Sequence, residues 1–275
     1  MAMTVANSAR SSARRVATSR PLETLTRIGF VGYGLLHLAV AWLAIQLALG
    51  KPTGESDQAG AFRTLAGQPF GRFLLIVVTI GLAAMAIWQL LLAAAGHQAE
   101  RHRTLERLAS LGRTIIYAAL AWTSYMVVAG VPASSAQQQQ QATAGVMAHS
   151  FGQFLVAVAG LAVLALGIGL AVYGAKRQFE RRLTTYRMSP ATRQTTRRLG
   201  QFGYIAKGVA FAIVGLLLAD AALTHNPAKS RGLDAALRTL IAQPLGNYLL
   251  ILVAIGFAAF GIYCFFQARY RKVTT

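Results

Sequence analysis

Acidic side chains are scarce in this sequence: its 275 residues include only eight Asp and Glu against 27 Lys and Arg, which gives a net charge of +19. Charged residues of both signs make up 13% of the chain, about half the share found in soluble domains. A soluble nucleic-acid-binding domain would set its bases among other polar residues, whereas this chain carries long uncharged apolar runs. Its mean hydropathy of +0.48 excludes a soluble enzyme and favours a polytopic membrane protein.

Cysteine is also nearly absent, since Cys264 is the only one. A disulfide framework within one chain and a thiolate metal site are therefore excluded. The sequence lacks His-Glu-x-x-His, Cys-x-x-Cys, Gly-x-Ser-x-Gly and Walker patterns, and Ser and Asp are too rare in the apolar runs to build a catalytic triad. We expect no enzyme activity, no cofactor and no metal. A bis-histidine haem is not expected either, because His37 is the only histidine well inside an apolar run.

Six apolar segments are long enough to cross a bilayer, which takes about 20 helical residues. They cover residues 28–49, 73–95, 114–131, 151–174, 202–223 and 248–268. Backbone groups must be satisfied internally in hydrocarbon, and no segment alternates with period two, so helices are favoured over a β-barrel. The predicted fold class is an all-α polytopic membrane protein with six transmembrane helices.

Basic residues are unevenly distributed over the connections between these spans. The two termini and the segments 96–113 and 175–201 hold 20 of the 27, and the other three connections hold six. Because cytoplasmic loops carry such an excess, both termini are predicted to be cytoplasmic in a bacterial plasma (inner) membrane. Residues 1–24, Arg- and Ser-rich as in a transit peptide, are interpreted as a basic cytoplasmic tail. The run 176–198 is expected to contact anionic lipids; nucleic-acid binding is not expected.

The sequence repeats itself. Residues 61–69 match 236–244, and the match continues through Gly71 and Gly246. The Gly-x-x-Gly-Tyr pattern of 29–33 returns at 200–204, and Tyr117 with the Phe-Gly of 151–152 marks a weaker middle copy. Three two-helix repeats result, at 25–98, 109–179 and 197–272. Each enters and leaves on the same side, so we predict parallel repeats around a pseudo-threefold axis along the membrane normal.

Two of these motifs resemble those of a known family. The Gly-Tyr-x-Ala-Lys-Gly run at 203–208 and the paired Arg-Thr-Leu…Gln-Pro-x-Gly segments are similar to the bacterial domain of unknown function 1206 family, over residues 25–272. The resemblance implies a two-helix unit occurring three times and implies no activity. The first copy departs from the pattern at 34–37, and the middle copy lacks the Arg and the Gln-Pro.

Small residues recur every seven positions in the even-numbered spans, and therefore on one helix face. Gly160, Gly167 and Gly174 do so in the fourth span, and Ala86 and Gly261 hold the position aligned with Gly167 in the second and sixth. Helices pack in lipid where small residues let backbones approach. We predict that this face is a helix contact.

Apart from tyrosines, three ionisable side chains lie within the predicted spans: His37, Lys207 and Asp220. Such residues mark candidate functional sites in membrane proteins. Lys207 is predicted to snorkel to the cytoplasmic headgroups and Asp220 to lie at the outer interface. His37 shares a face with small residues and is predicted to point at protein, either as a hydrogen-bonded packing residue or as a functional group.

The connections on the other side contain amphipathic segments. Residues 58–66 and 233–241 are predicted to form short interfacial helices, the second with Asp234 as its N-cap. Arg63 and Arg238, matched by the repeat, are predicted either to anchor in headgroups or to bind a lipid phosphate or anionic ligand. The glutamine run 137–141 is interpreted as a linker without a role.

Two functions fit this architecture. The first is a non-enzymatic structural or accessory membrane component that binds lipid, a membrane-protein partner or a second copy of itself. The second is a transporter or channel for a small solute or ion. A transporter is expected to have a polar cavity at mid-depth lined by His37, Tyr33, Tyr117 and Tyr204, and an accessory protein a packed centre.

Overall fold

The computed structural model describes residues 20–51, 53–95 and 103–272, which are almost entirely helical. Its α-helices are, in chain order, α1 Arg20–Ala48, α2 Gln58–Ala66, α3 Gly71–Ala95, α4 Arg103–Val128, α5 Ser135–Met147, α6 Gly152–Ala175, α7 Pro190–Leu223, α8 Gly232–Ile241 and α9 Gly246–Tyr270. Six of these, all but α2, α5 and α8, are long and apolar enough to cross a membrane. The prediction of an all-α fold with six candidate membrane spans is thereby confirmed. Helices α4 and α7 begin about a dozen residues before the predicted spans, because their polar first turns continue the helix.

A short helix joins the two long helices of each hairpin: α2, α5 and α8. Asp57 caps α2 by accepting from Gly60 N, and Ser134 caps α5 by accepting from Gln137 N. The prediction of a linker at 137–141 is wrong, because this capped glutamine run is a good helix former. Asp234 does not cap α8; it lies in the first turn, so that prediction is also wrong. We call the end of the bundle that holds these helices the short-helix end.

After each short helix the chain reverses within a few residues. Gly71, Gly152 and Gly246 begin the next long helix, and a Cβ at any of them would lie within 2.2 Å of a carbonyl oxygen of the preceding short helix. Only glycine fits so close an approach. The matched glycines of the repeat are therefore required by the turn itself.

The second long helix of each hairpin packs against the first long helix of another: α3 on α4, α6 on α7, and α9 on α1. Within a hairpin, α1 packs on α3 and α7 on α9. In the part of the chain that the structure describes, α4 and α6 of the middle hairpin are not packed along each other. In the most apolar 18-residue stretch of α1, α3 and α9, at least half of the residues are buried, whereas in α4, α6 and α7 the buried share is 11% to 22%.

The glycines of α6 lie against the backbone of α7. A Cβ on Gly167 would lie 2.4 Å from Ala212 N, and one on Gly160 would lie 2.6 Å from Ala219 N. Gly174 lies in the same way against the Cβ of Tyr204. The spacing of seven thus follows one continuous line of close contact between two helices.

The aligned positions occupy the corresponding contacts elsewhere. Gly261 of α9 faces Gly34 of α1, and a Cβ on either would lie within 2.8 Å of the other's carbonyl oxygen. Ala86 of α3 is buried; seven residues earlier on that face, Thr79 hydrogen-bonds Ser124 of α4 at 2.8 Å. The same face of α3, α6 and α9 therefore meets the first long helix of another hairpin.

At the opposite end, which we call the basic end, the segment 178–187 folds over the bundle. Phe179 is 1% exposed, and its ring stacks on Tyr204 at a centroid distance of 5.5 Å. Gly200 makes room for it, since a Cβ there would lie 2.5 Å from the Phe179 ring. Thr184 N donates to Tyr270 O at 2.8 Å. This stretch, predicted only as a basic lipid-contacting loop, is a cover for the centre of the bundle.

Candidate functional site

Lys207 points into the bundle. Its Nζ donates to the Tyr33 hydroxyl at 2.5 Å and lies 4.8 Å and 4.4 Å from the ring centres of Tyr33 and Phe260. Phe260 is about ten residues from the end of α9 at Tyr270, a rise of about 15 Å, so the ammonium group lies at mid-depth. The prediction that Lys207 snorkels to the headgroups is wrong, because two aromatic faces and a hydroxyl hold the side chain inside.

His37 is buried beside this ammonium group. Its Nδ1 lies 2.8 Å from Tyr33 O; since a carbonyl oxygen only accepts, Nδ1 carries the proton and Nε2 is the free acceptor in the neutral ring. The imidazole packs against the rings of Tyr33 and Phe260 at 4.3 Å and 4.7 Å. This is the geometry of a hydrogen-bonded packing histidine, one of the two roles predicted for it.

The three matched tyrosines lie in one aromatic cluster. Tyr33 and Tyr117 meet edge to face at 5.5 Å, and Phe260 joins Tyr33 at 6.1 Å to Tyr204 at 5.1 Å. The structure thus brings together five of the predicted site residues: Tyr33, His37, Tyr117, Tyr204 and Lys207. We call this group, with Phe260, the central cluster. Sequence reasoning missed Phe260, because an apolar residue in an apolar span carries no signal.

Among the described residues, the central cluster is partly exposed at the side of the bundle. Tyr117 of α4 and Lys207 of α7 are both half-buried, and their helices are not packed along each other among the described residues. Phe179 covers the cluster at the basic end, where Glu106 of α4 meets Arg182 of the covering segment at 3.1 Å. At the short-helix end, α5 connects α4 to α6 and packs on α8. Helix α4 borders the partly exposed side on one flank, and α6, which packs on α7, borders it on the other. We call the gap between α4 and α6 the lateral opening.

No carboxylate neutralises Lys207 within the described residues. Each described acidic side chain that forms an ion pair does so with a base other than Lys207. Asp220, for example, binds Lys229 at 2.6 Å at the short-helix end. An unpaired lysine at mid-bilayer costs about 2.5–3.5 kcal/mol on insertion scales. Cation–π contacts are worth up to about 2 kcal/mol each when desolvated, so the rings of Tyr33 and Phe260 offset that cost.

The long–short–long unit of the fold corresponds to a known family. A family model described as Domain of Unknown Function (DUF1206) matches residues 28–96, 108–177 and 202–271. The chain belongs to this family. The three matches confirm the resemblance and the internal repeats. The chain is also 29% identical over 256 residues, 92% of each chain, to the uncharacterized protein YxxB of Bacillus subtilis (strain 168). No solved structure matches.

The central cluster differs between the DUF1206 units. Lys207 comes from the third unit, where the first has Leu36, and His37 comes from the first, where the third has Gly208. All three units contribute a tyrosine. The repeats therefore supply the same aromatic wall, and one lysine and one histidine break its symmetry.

The matched arginines of the first and third DUF1206 units bind protein. Each meets a carboxylate and a backbone carbonyl oxygen: Arg63 binds Glu55 at 3.0 Å and Ala133 O at 2.5 Å, and Arg238 binds Asp234 at 3.1 Å and Gly54 O at 2.7 Å. Asp234 also accepts from Ser56 N at 2.9 Å. The sequence predicts headgroup anchoring, or binding of a lipid phosphate or anionic ligand, for these guanidinium groups, and the structure uses them to join the loops of different units.

Asp57 lies beside this arginine network and is fully buried. Burial raises its pKa to about 6, the hydrogen bond from Gly60 N opposes that rise, and the neighbouring charges of Glu55 and Asp234 add to it. Its Oδ2 has no hydrogen-bond partner among the described residues. Asp57 is thus a buried carboxyl group at the short-helix end whose pKa is raised to about 6.

Proposed function

We propose that this DUF1206 protein is a non-enzymatic structural or accessory component of the bacterial plasma membrane that binds lipid or a membrane partner. The observation that supports this most is the packing of the central cluster. Where a solute path would be expected, the rings of Tyr33, His37, Phe260 and Tyr204 interlock and Phe179 covers them. Packed aromatic rings stabilise a bundle and fill the place through which a polar solute would pass.

We infer further that the three hairpins surround a pseudo-threefold axis in a ring that is open on one side. The contacts of α3 with α4, α6 with α7 and α9 with α1 follow one rule, which supports such a ring. At the lateral opening the two long helices of the middle hairpin do not pack along each other, unlike those of the first and third hairpins. The exposed faces of α4 and α6 on either side are apolar, as lipid tails, a partner helix or a second copy of the chain require.

The distribution of bases supports an orientation with both termini and the basic end in the cytoplasm. Cysteines at Gln137 in α5 and at Tyr186 in the covering segment, both exposed, test it in a Cys264→Ala background. In intact cells an impermeant maleimide is expected to label the first and not the second. Labelling of position 186 in intact cells would reverse the orientation.

The transporter alternative is supported by one observation, the presence of Lys207 and His37 at mid-depth. The two functions differ in whether water reaches position 37. In the Cys264→Ala background we expect His37→Cys to react with a charged maleimide only after unfolding, in intact cells and in inverted vesicles alike. Gln137→Cys is the positive control for labelling. Reaction of the folded protein at position 37 from either side would favour the transporter.

A further inference from the structure

We propose that Lys207 binds the anionic phosphate headgroup of a membrane phospholipid that enters through the lateral opening. This deepens the proposed function, on which it rests, by naming a lipid class and a site. The chemistry shared by possible ligands is an oxyanion, as in a phosphate or carboxylate. The route to the site favours a phospholipid over a free anion.

The charge of Lys207 is available to such a ligand. An ammonium group has three N–H donors, and within the described residues one is used, by the Tyr33 hydroxyl. The ring faces of Tyr33 and Phe260 stabilise the cation and do not neutralise it. An oxyanion in front of Lys207 would supply the missing negative charge through a charge-assisted hydrogen bond.

The route to Lys207 selects a membrane-dissolved ligand. Phe179 and the Arg182–Glu106 ion pair cover the basic end, and the short helices with their arginine contacts cover the other end. Among the described residues, the uncovered side lies between α4 and α6, two helices whose apolar surfaces are mostly exposed. A free anion gains nothing from these apolar faces, whereas the acyl chains of a lipid pack on them while its headgroup enters the opening from the interface.

Tyr117 provides a second polar group at the opening. Its half-buried ring stands edge to face with Tyr33, the residue that accepts from Lys207, and it belongs to α4, which borders the opening. Phenolic hydroxyls donate to oxyanions. Lys207 and Tyr117 would thus hold one headgroup from two helices that do not pack on each other.

The first test measures lipid-dependent stability of the whole protein in neutral detergent. Phosphatidylglycerol is expected to raise the Tm of the wild type by several degrees more than phosphatidylcholine does, and inorganic phosphate is expected to have no effect. Lys207→Met, which keeps the length of the side chain, should lose more than half of the phosphatidylglycerol shift. Lys51→Met removes an exposed base at the short-helix end and should keep that shift.

Two results would overturn the proposal. One is an undiminished phosphatidylglycerol shift in Lys207→Met. The other is an equal shift of the wild type with inorganic phosphate, which would assign the charge to a free anion and exclude the lateral route.

A second measurement needs no variant and covers the case in which Lys207→Met does not fold. Phosphatidylglycerol with a photoreactive acyl chain is expected to crosslink the wild type mainly on α4 and α6, in competition with phosphatidylglycerol but not with phosphatidylcholine. Crosslinks spread evenly over the outer faces of all six long helices would contradict the site. Failure of both lipid tests with position 37 still inaccessible to water would reject this site and leave the packed-component proposal standing.

Discussion

The first and third hairpins are closed, whereas the middle one is splayed, and glycines mark the difference. Gly29 of α1 meets Gly81 of α3 so closely that a Cβ on Gly29 would lie 2.4 Å from Gly81 O. In the third hairpin a Cβ on Gly256 would lie 2.1 Å from the Cβ of Ala206. In the middle hairpin Gly112, near the start of the apolar part of α4, has open space around it. A glycine thus permits close packing between the long helices of a hairpin but does not produce it.

The middle hairpin also lacks the arginine that its neighbours use. Arg63 and Arg238 reach carbonyl oxygens of other hairpins, and the aligned position in α5 is Ala144. The same hairpin has no Gln-Pro before its turn. A repeat without these contacts is free to separate its two long helices, and the lateral opening lies where that happens.

The largest effect is expected from adding volume at a glycine that lies in such a contact, compared with one that does not. Gly29→Leu should abolish folded protein, because the new side chain would displace α1 from α3; overpacking of this kind costs more than about 3 kcal/mol. Gly112→Leu should leave the yield and Tm of purified protein unchanged. Equal loss of the monodisperse species in gel filtration for both variants would mean that the middle hairpin also closes.

The contact between α6 and α7 offers a comparison within one helix. Gly167→Leu should cost about 3 kcal/mol or more and lower the Tm strongly, since a Cβ there would already lie 2.4 Å from Ala212 N. Gly169→Leu, two residues away on the same helix, should be tolerated because nothing lies within 4 Å of its Cβ position. Thermal unfolding of both in the same detergent decides the matter. If Gly167→Leu melts like the wild type, the spacing of small residues reflects composition alone.

The sequence predicts the six spans and the repeats well, because apolar length and self-similarity are local properties of the chain. The repeat predicts similar depths for Tyr33, Tyr117 and Tyr204, and the structure brings their rings into one cluster. The sequence predicts the wrong position for the Lys207 side chain, because whether a lysine reaches the headgroups or turns inward depends on how α7 is rotated against α1 and α9. Phe179 could have been suspected as the one phenylalanine in the basic stretch 176–198, and Phe260 could not.

The central cluster can be tested by removing His37. His37→Ala should lower the free energy of unfolding by about 2–4 kcal/mol, because it leaves a cavity among the rings of Tyr33 and Phe260. His149 makes the same bond to the carbonyl four residues earlier but is exposed, so His149→Ala is a matched control with no expected change. Comparable melting of both variants and the wild type would contradict a packed centre.

The smallest expected effect concerns pH and the short-helix end. Because burial raises the pKa of Asp57 from 3.8 to about 6, the folded protein binds more protons than the unfolded chain between these values. Stability contributed by this group is therefore greatest below about pH 4 and falls as the pH rises to about 6, by at most about 3 kcal/mol. Asp57→Asn keeps a good N-cap for α2 and removes the charge, so it should raise the Tm at pH 7 and flatten its decline from pH 5 to pH 7. Asp220→Asn, which removes a half-exposed carboxylate that binds Lys229, should leave that decline as it is in the wild type. An unchanged slope in Asp57→Asn would show that the titrating group lies elsewhere in the bundle.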